Sequence, residues 1–566
     1  MPYRAPVPEI TFCLDHVVGY SRVTETERFA DATPETVSAL LTEAGRICEE
    51  VLAPLNRAGD LHPAKLENGV VRTSPGFADG YRAIAEAGFA AITADPAYGG
   101  LGLPQTVATA VNEMMGSACL SLELNPLMTQ GQIEALEHHA SDEIKALYLP
   151  KLTSGEWCGT MNLTEPQAGS DVGALKTKAE PNGDGTYAIT GQKIYISWGD
   201  NDFTENVCHL VLARLPDGKP GTKGISLFLV PKRIPEADGT PGVANSLKVV
   251  SLEHKLGLHG SPTCVMQYDG ATGWLVGEPH GGIAAMFTMM NNARLGVGVH
   301  GLSIAEAATQ HALAYAADRV QGRSPIENGT GTILDHADVR RMLTGMKAET
   351  FAVRALALDL AVSIDLANAT GDRAMAARAA FLTPICKAYG TDTGISVADT
   401  GIQVHGGMGF IEETGAAQFY RDGRVAAIYE GTNGIQAMDL TGRKMMDGGA
   451  AAFALIDEIE AEAKAAGARG ELLAATAAEL RAATERMVAL DLNDRFAGAV
   501  PYQHAFALTL GGLYHLRAAL AEGEGSRTRL AQSFMARQMA AVPGLLAEAG
   551  LGAADLYALS AEDLVA

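Results

Sequence analysis

Between Arg424 and Gln436 the chain reads Arg-Val-Ala-Ala-Ile-Tyr-Glu-Gly-Thr-Asn-Gly-Ile-Gln, which sets one carboxylate, Glu430, between an apolar run and a glycine-rich turn. A carboxylate partly withdrawn from water beside a turn suits a general base, which must stand within hydrogen-bond reach of the proton it removes. Ile428 and Tyr429 would shield Glu430 and favour its neutral form, whereas a helix starting near Thr432 or Asn433 would favour the charged form. The two pulls oppose each other. Read alone, a Glu before Gly is more often a surface cap.

Other stretches offer groups to bind a ligand. Met161-Asn-Leu-Thr-Glu-Pro-Gln-Ala-Gly-Ser-Asp171 reads as a strand running into a turn opened by Pro166 and Gly169. There backbone N–H groups and the hydroxyls of Thr164 and Ser170 would be exposed together, which suits a ring carrying carbonyls and nitrogens, or a phosphate, although read alone the stretch is more simply a polar β-turn. In Gly191-Gln-Lys-Ile-Tyr-Ile-Ser-Trp-Gly199, Tyr195 and Ser197 are two apart on a strand and share a face that could back a flat cofactor. Gln403-Val-His-Gly-Gly-Met-Gly-Phe410 reads as a turn between helices whose glycines let a backbone approach a pyrophosphate. It lacks the spacing and the preceding strand of a dinucleotide fold. Arg319-Val-Gln-Gly-Arg323 ends a helical stretch with two guanidiniums that could pair with phosphates or complement the helix dipole. His405 has no second histidine at metal spacing, so no metal is expected, and the Met286-Phe-Thr-Met-Met290 cluster reads as core filler.

These stretches need a scaffold, and 566 residues are too many for a single core. Hydrophobic residues make up 47%, charged residues 19% and aromatics 6%, and alanine-rich periodic segments dominate, so helix should outweigh strand. The expected order is an extension over 1–35, a helical domain over 36–156, an antiparallel β domain over 157–279, a second helical domain over 280–447 and a helical addition over 448–566. In the first helical domain Thr33 caps a helix, and further helices run from Pro104 to Cys119 and from Gln130 to Leu149. The fold class is therefore mainly α with an inserted antiparallel β domain. A net charge of −23 opposes binding to nucleic acid. Seven scattered cysteines without paired spacing point to reduced thiols in a cytoplasmic protein, and no apolar run is long enough for a membrane span.

Taken together, Leu163-Thr-Glu-Pro-Gln-Ala-Gly-Ser-Asp171, Gly191-Gln-Lys193, Gln403 to Phe410 and Tyr429-Glu-Gly-Thr432 make the chain resemble the acyl-CoA dehydrogenase family of flavoproteins over residues 36–446. The N-terminal extension and C-terminal addition further resemble the subgroup that includes 3-methylmercaptopropionyl-CoA dehydrogenases. The resemblance implies a flavin adenine dinucleotide (FAD) contacted by Met161, Leu163, Thr164, Ser170, Tyr195, Ser197 and Thr432. Tyr195 and Ser197 stand where the family often has Trp and Thr, and Met408 where it often has a small polar residue. Arg319 matches the position that pairs with the pyrophosphate, and Gln403 and Gly407 match those that reach the adenine half of a flavin held by a neighbouring subunit, which implies a homodimer or homotetramer. Glu430 would take the α-proton of an acyl-CoA thioester while the flavin takes the β-hydride, and the backbone N–H of Glu430 would polarise the thioester carbonyl. Ser170, Arg294, Tyr429 and Gly431 match substrate-facing positions, and an electron-transferring flavoprotein or similar acceptor would reoxidise the flavin.

An acyl-CoA oxidase would use the same residues and differ in the access of oxygen to the flavin. A DNA-associated flavoprotein of alkylation stress is the alternative of another class. The acidic balance and the lack of a Lys/Arg-rich stretch over 448–566 count against it.

Overall fold

A computed structural model describes residues 3–566, which form two compact units, one of residues 39–296 and one of residues 3–38 with 297–566.

The 39–296 unit joins helices to a β domain. A helix over Pro34–Ile47 leads into it, and Thr33 Oγ accepts from the Thr36 N–H at 3.3 Å, the expected cap. The centre is a 35-residue helical run, Gln105–His139, broken only at Cys119 (φ −158°, ψ 86°). Sequence periodicity expected separate helices ending at Cys119 and resuming at Gln130. From Thr106 to Leu136 almost every residue is buried, so no amphipathic stripe marks the helix and its continuity is hidden from the pattern. The expected helix to Leu149 instead stops at Ala140, and Ser141 caps a new one over Asp142–Thr153.

Among the described residues the main sheet of the β domain has seven strands, β1 (Trp157–Asn162), β2 (Lys178–Pro181), β3 (Tyr187–Ser197), β4 (Asn206–Arg214), β5 (Ile225–Pro231), β6 (Leu247–Leu252) and β7 (Thr263–Val276), and Arg233–Pro235 pairs separately with Pro241–Ala244. Pairing runs β6–β7–β3–β2–β4–β1, and β5 bonds to both β7 and β4, which closes the path on itself. The sheet was expected to be antiparallel. It is mixed, because β1 runs parallel to β4 from Trp157 opposite Asn206 to Asn162 opposite Val211. Both strands are buried on both faces, so they lack the alternation from which antiparallel pairing is read. Leu210 and Leu212 of β4 enter one core with Trp157 and Tyr148, while Val211 and Ala213 enter a second with Phe228 and Tyr268. Met286 and Met289 are fully buried core filler, as expected.

In the second unit the N-terminal segment is a helix, Val7–His16, that buries Ile10, Cys13 and Leu14. It packs on the Ala337–Thr370 and Ala499–Glu522 helices, and Glu9 pairs with Arg527 at 2.6 Å. The chain's first helix is thus fastened to the C-terminal addition. That addition covers the preceding helical domain of its own chain, because Ala499–Glu522 packs against Ala337–Thr370, Arg373–His405 and Asn433–Thr441. A buried ionic network ties the layers. Asp359 accepts from Arg378 at 2.6 Å and from the Tyr514 hydroxyl at 2.8 Å, while Arg517 pairs with Glu458 and Glu462. Burial alone would raise the Asp359 carboxyl, but Arg378 and Arg517 hold it below the usual range.

Candidate active site

The Glu430 turn is built from the inside outward. A helix over Ala416–Gly423 tightens into a single 3₁₀ turn, Arg424–Ala427, and a new helix starts at Asn433, where Thr432 Oγ accepts from the Ile435 N–H at 3.3 Å. Between them the backbone reverses through two left-handed residues, Glu430 (φ 55°) and Gly431 (φ 85°). Glycine takes this conformation freely, but a residue with a side chain does so at a cost of about 1 kcal/mol. Tyr429 is held through its hydroxyl, 2.8 Å from Nδ1 of the buried His300. Ile428 was expected to shield Glu430, yet it is 52% exposed. Tyr429 and Glu430 are half-buried.

In the other unit the Leu163–Asp171 turn is organised by a residue to which the sequence assigned no role. Lys193, completely buried on β3, donates to the Leu163 carbonyl and to Glu165 Oε1, both at 2.9 Å. Glu165 also accepts from the Lys176 and Thr177 N–H groups and from the Thr177 hydroxyl. Burial pushes against ionisation of Glu165, but Lys193 and these donors outweigh it and bring its carboxyl down to about 2. Desolvation lowers the Lys193 ammonium to about 8 against the pull of Glu165, which leaves it charged at neutral pH. The Gly191-Gln-Lys193 motif contained this signal, but a lysine inside a strand gives no hint that its partner lies 28 residues earlier.

On β3, Tyr195 and Ser197 do not lie on a regular strand. The register against β7 slips between Lys193 and Ile196, Tyr195 has φ 60° and is 61% exposed, and Lys193 and Ile196, three apart, are both buried. Strict alternation cannot produce that pattern; a bulge does. The Ile194 N–H donates to the Thr164 carbonyl at 2.9 Å, which joins this strand to the turn that carries Met161, Leu163, Thr164 and Ser170. Among the described residues, the hydroxyls of Thr164, Ser170 and Ser197 make no hydrogen bond within the chain. Arg294 lies in the same unit, 8% exposed, with its guanidinium 5.5 Å from the centre of the Phe287 ring.

Gln403 lies within the last turn of the Arg373–His405 helix, not in a loop, and lines a cavity of about 660 Å³ with Arg341, Glu349, Thr400, Arg537 and Gln538. The next residues form a 3₁₀ turn, Gly406–Phe410. The glycines there differ in what the fold asks of them. A Cβ on Gly409 would stand 2.2 Å from the Ile402 carbonyl oxygen, whereas one on Gly407 would meet nothing within 4 Å. Gly409→Ala is therefore expected to cost about 1–3 kcal/mol and lower the melting temperature, while Gly407→Ala leaves stability within about 0.5 kcal/mol. Thermal unfolding of the two variants side by side checks this. Arg319 follows the Gly282–Asp318 helix, is exposed, and donates to Gln321 Oε1 at 3.4 Å.

The structure thus gathers Tyr429, Glu430, Gly431 and Thr432 into one turn, with Arg319, Gln403 and Gly407 elsewhere in the same unit. Met161 and Leu163 lead into the turn after β1, Thr164 and Ser170 lie in it, and Tyr195 and Ser197 lie on β3, which is bonded to the turn through Ile194. All seven cysteines are buried and none forms a disulfide. No described helix is long and apolar enough to cross a membrane.

Compared with known proteins, residues 34–156, 160–271 and 280–445 match the N-terminal, middle and C-terminal domains of acyl-CoA dehydrogenase. The chain belongs to the acyl-CoA dehydrogenase family. As a member it is an oxidoreductase acting on acyl-CoA. It is 46% identical over 519 residues to a 3-methylmercaptopropionyl-CoA dehydrogenase of Ruegeria pomeroyi, covering 89% of this chain and 88% of that one. It is 38% identical over 428 residues to a butyryl-CoA dehydrogenase of Syntrophomonas wolfei, covering 72% and 70%. Among solved structures, Caenorhabditis elegans ACDH-11 in complex with C11-CoA shares the fold with a TM-score of 0.77 at 21% identity, covering 91% of this chain and 89% of that one. That match extends beyond the three family domains. The butyryl-CoA dehydrogenase of Megasphaera elsdenii matches with a TM-score of 0.60 at 25% identity, covering 72% and 97%.

Proposed function

We propose that this acyl-CoA dehydrogenase family member oxidises a short-chain acyl-CoA to the 2,3-enoyl-CoA, taking 3-methylmercaptopropionyl-CoA to methylthioacryloyl-CoA, with Glu430 as base and FAD as cofactor. The observation that carries the reading is the carboxylate of Glu430 on a left-handed turn, in a chain 46% identical over 519 residues to a 3-methylmercaptopropionyl-CoA dehydrogenase.

The residues present fit a flavin. Among the described residues the hydroxyls of Thr164, Ser170 and Ser197 make no hydrogen bond, the turn that carries Thr164 and Ser170 is tied down by the Lys193–Glu165 pair, and Gly407 leaves open space where a Cβ would be. Met161, Leu163, Thr164, Ser170, Tyr195, Ser197 and Thr432 would hold it, with Arg319, Gln403 and Gly407 serving the flavin of a neighbouring copy in a homodimer or homotetramer. When bound, the flavin supplies the acceptor for the β-hydride. The chain's own residues do the rest. Glu430 removes the α-proton, its backbone N–H donates to the thioester carbonyl and stabilises the charge that develops there, and Ser170, Arg294, Tyr429 and Gly431 face the substrate. Coupling the two steps matters because the α-proton is too weakly acidic for a carboxylate to remove unaided. Electrons then pass to an electron-transferring flavoprotein or similar acceptor, in the cytoplasm.

The test is to purify the protein, record an oxidised-flavin spectrum, and follow its bleaching without oxygen on adding 3-methylmercaptopropionyl-CoA or butanoyl-CoA. Bleaching by both, faster with the sulfur-containing thioester, is the expected result. Faster bleaching with butanoyl-CoA moves the assignment to a butyryl-CoA dehydrogenase, and bleaching by neither removes the short-chain reading.

A further inference from the structure

We infer that Lys387 and Gln436 are positioning residues for the reaction, two buried side chains that together hold the left-handed turn carrying Glu430. The inference rests on the reading that Glu430 is the base.

Glu430 and Gly431 are consecutive residues with positive φ, and for a glutamate that conformation persists only where its surroundings impose it. Both carbonyls of the turn are held by side chains. The Glu430 carbonyl accepts from Gln436 Nε2 at 3.0 Å, and the Gly431 carbonyl accepts from Lys387 Nζ at 2.9 Å. Lys387 is completely buried and Gln436 is 1% exposed. The ammonium spends a second donor on Asn433 Oδ1 at 2.8 Å, the first residue of the helix that follows. Asn433 is itself oriented, because its Nδ2 donates to Asp392 Oδ1 at 2.7 Å and to Thr391 Oγ1 at 3.0 Å. Lys387 and Thr391 are one turn apart on the same helix, so a single rigid face of Arg373–His405 grips both the turn and the helix start.

Burying a cation is costly, and the charge of Lys387 is felt by Asp392, the carboxylate that orients Asn433, where it counters the upward push of burial. The clamp fixes the peptide planes on either side of Gly431, and through them the direction of the Glu430 side chain and of its N–H. A displacement of about 1 Å at a reacting group is enough to cost about 100-fold in rate. A Cβ added at Gly431 would stand 2.8 Å from Gln436 Nε2, so this close approach of the clamp, as well as the φ of 85°, calls for glycine there.

The experiment uses the flavin-loaded enzyme with butanoyl-CoA and compares Lys387→Met, Lys387→Gln, Gln436→Met and Glu430→Gln, recording kcat, KM, flavin content and melting temperature. Lys387→Met and Gln436→Met are expected to lower kcat about 10- to 100-fold with KM changed by less than about threefold. Lys387→Gln, which keeps a donor, retains more of kcat than Lys387→Met. A merely structural role would lower flavin content and melting temperature and leave the kcat of the loaded fraction alone. If Glu430→Gln is inactive but Gln436→Met and the folded Lys387 variants keep wild-type kcat, the inference is overturned. Should Lys387→Met fail to fold, Gln436→Met decides. If Glu430→Gln turns over like wild type, the base assignment has failed, and the positioning role falls with it.

Discussion

Glu430→Gln is expected to lower turnover by about 10²–10⁴-fold, the range a positioned general base contributes. The substitution keeps the shape of the side chain and the hydrogen bond from Gln436 to the backbone carbonyl, so flavin content and melting temperature should match the wild type. It removes the ability to accept the α-proton. KM should change little, because the group acts in the transition state and contributes little to ground-state binding. Rapid mixing of the variant with substrate, followed at the oxidised-flavin band, separates the effect on chemistry from any effect on product release. A variant that bleaches at the wild-type rate would take the proton-transfer role away from this turn.

The second large effect is structural and lies in the other unit. Glu165→Gln or Lys193→Met leaves one charge of a buried pair without its partner, and such breaks cost about 3–5 kcal/mol. Both groups are buried, and the pair pins the Leu163 carbonyl and the Lys176–Thr177 backbone, so the loss should fall on the turn that carries Thr164 and Ser170. Either variant is expected to melt well below the wild type and to lose flavin on gel filtration. The pH dependence has a definite sign. The carboxyl of Glu165 sits at about 2 in the folded chain against an ordinary value of 4.5, so its stabilisation is complete above 4.5 and is lost as pH falls from 4.5 toward 2. Unfolding of the wild type measured across that window should steepen toward acid, and Glu165→Gln should flatten the slope. An unchanged slope would mean that the pair does not govern the acid stability of the turn.

What could be read from the chain was what short-range spacing controls. The helix starts at Thr33 and Thr432 follow from side chains that cap orphan N–H groups within three residues, and the succession of helical, strand and helical regions follows from the change of hydrophobic period. Glu430 stood out because its neighbours in sequence are also its neighbours in the turn. Three things were out of reach. The continuity of Gln105–His139 and the parallel pairing of β1 with β4 are hidden because full burial erases the polar alternation from which they would be read, and the bulge at Tyr195 is set by the register against β7, a partner far along the chain. Lys387 illustrates the limit most sharply. In sequence it is one lysine in an alanine-rich helix, 43 residues before Glu430. Tertiary packing alone brings its ammonium to the Gly431 carbonyl, because a contact between a helix and a distant turn is determined by how their buried faces fit and leaves no periodic trace in either segment.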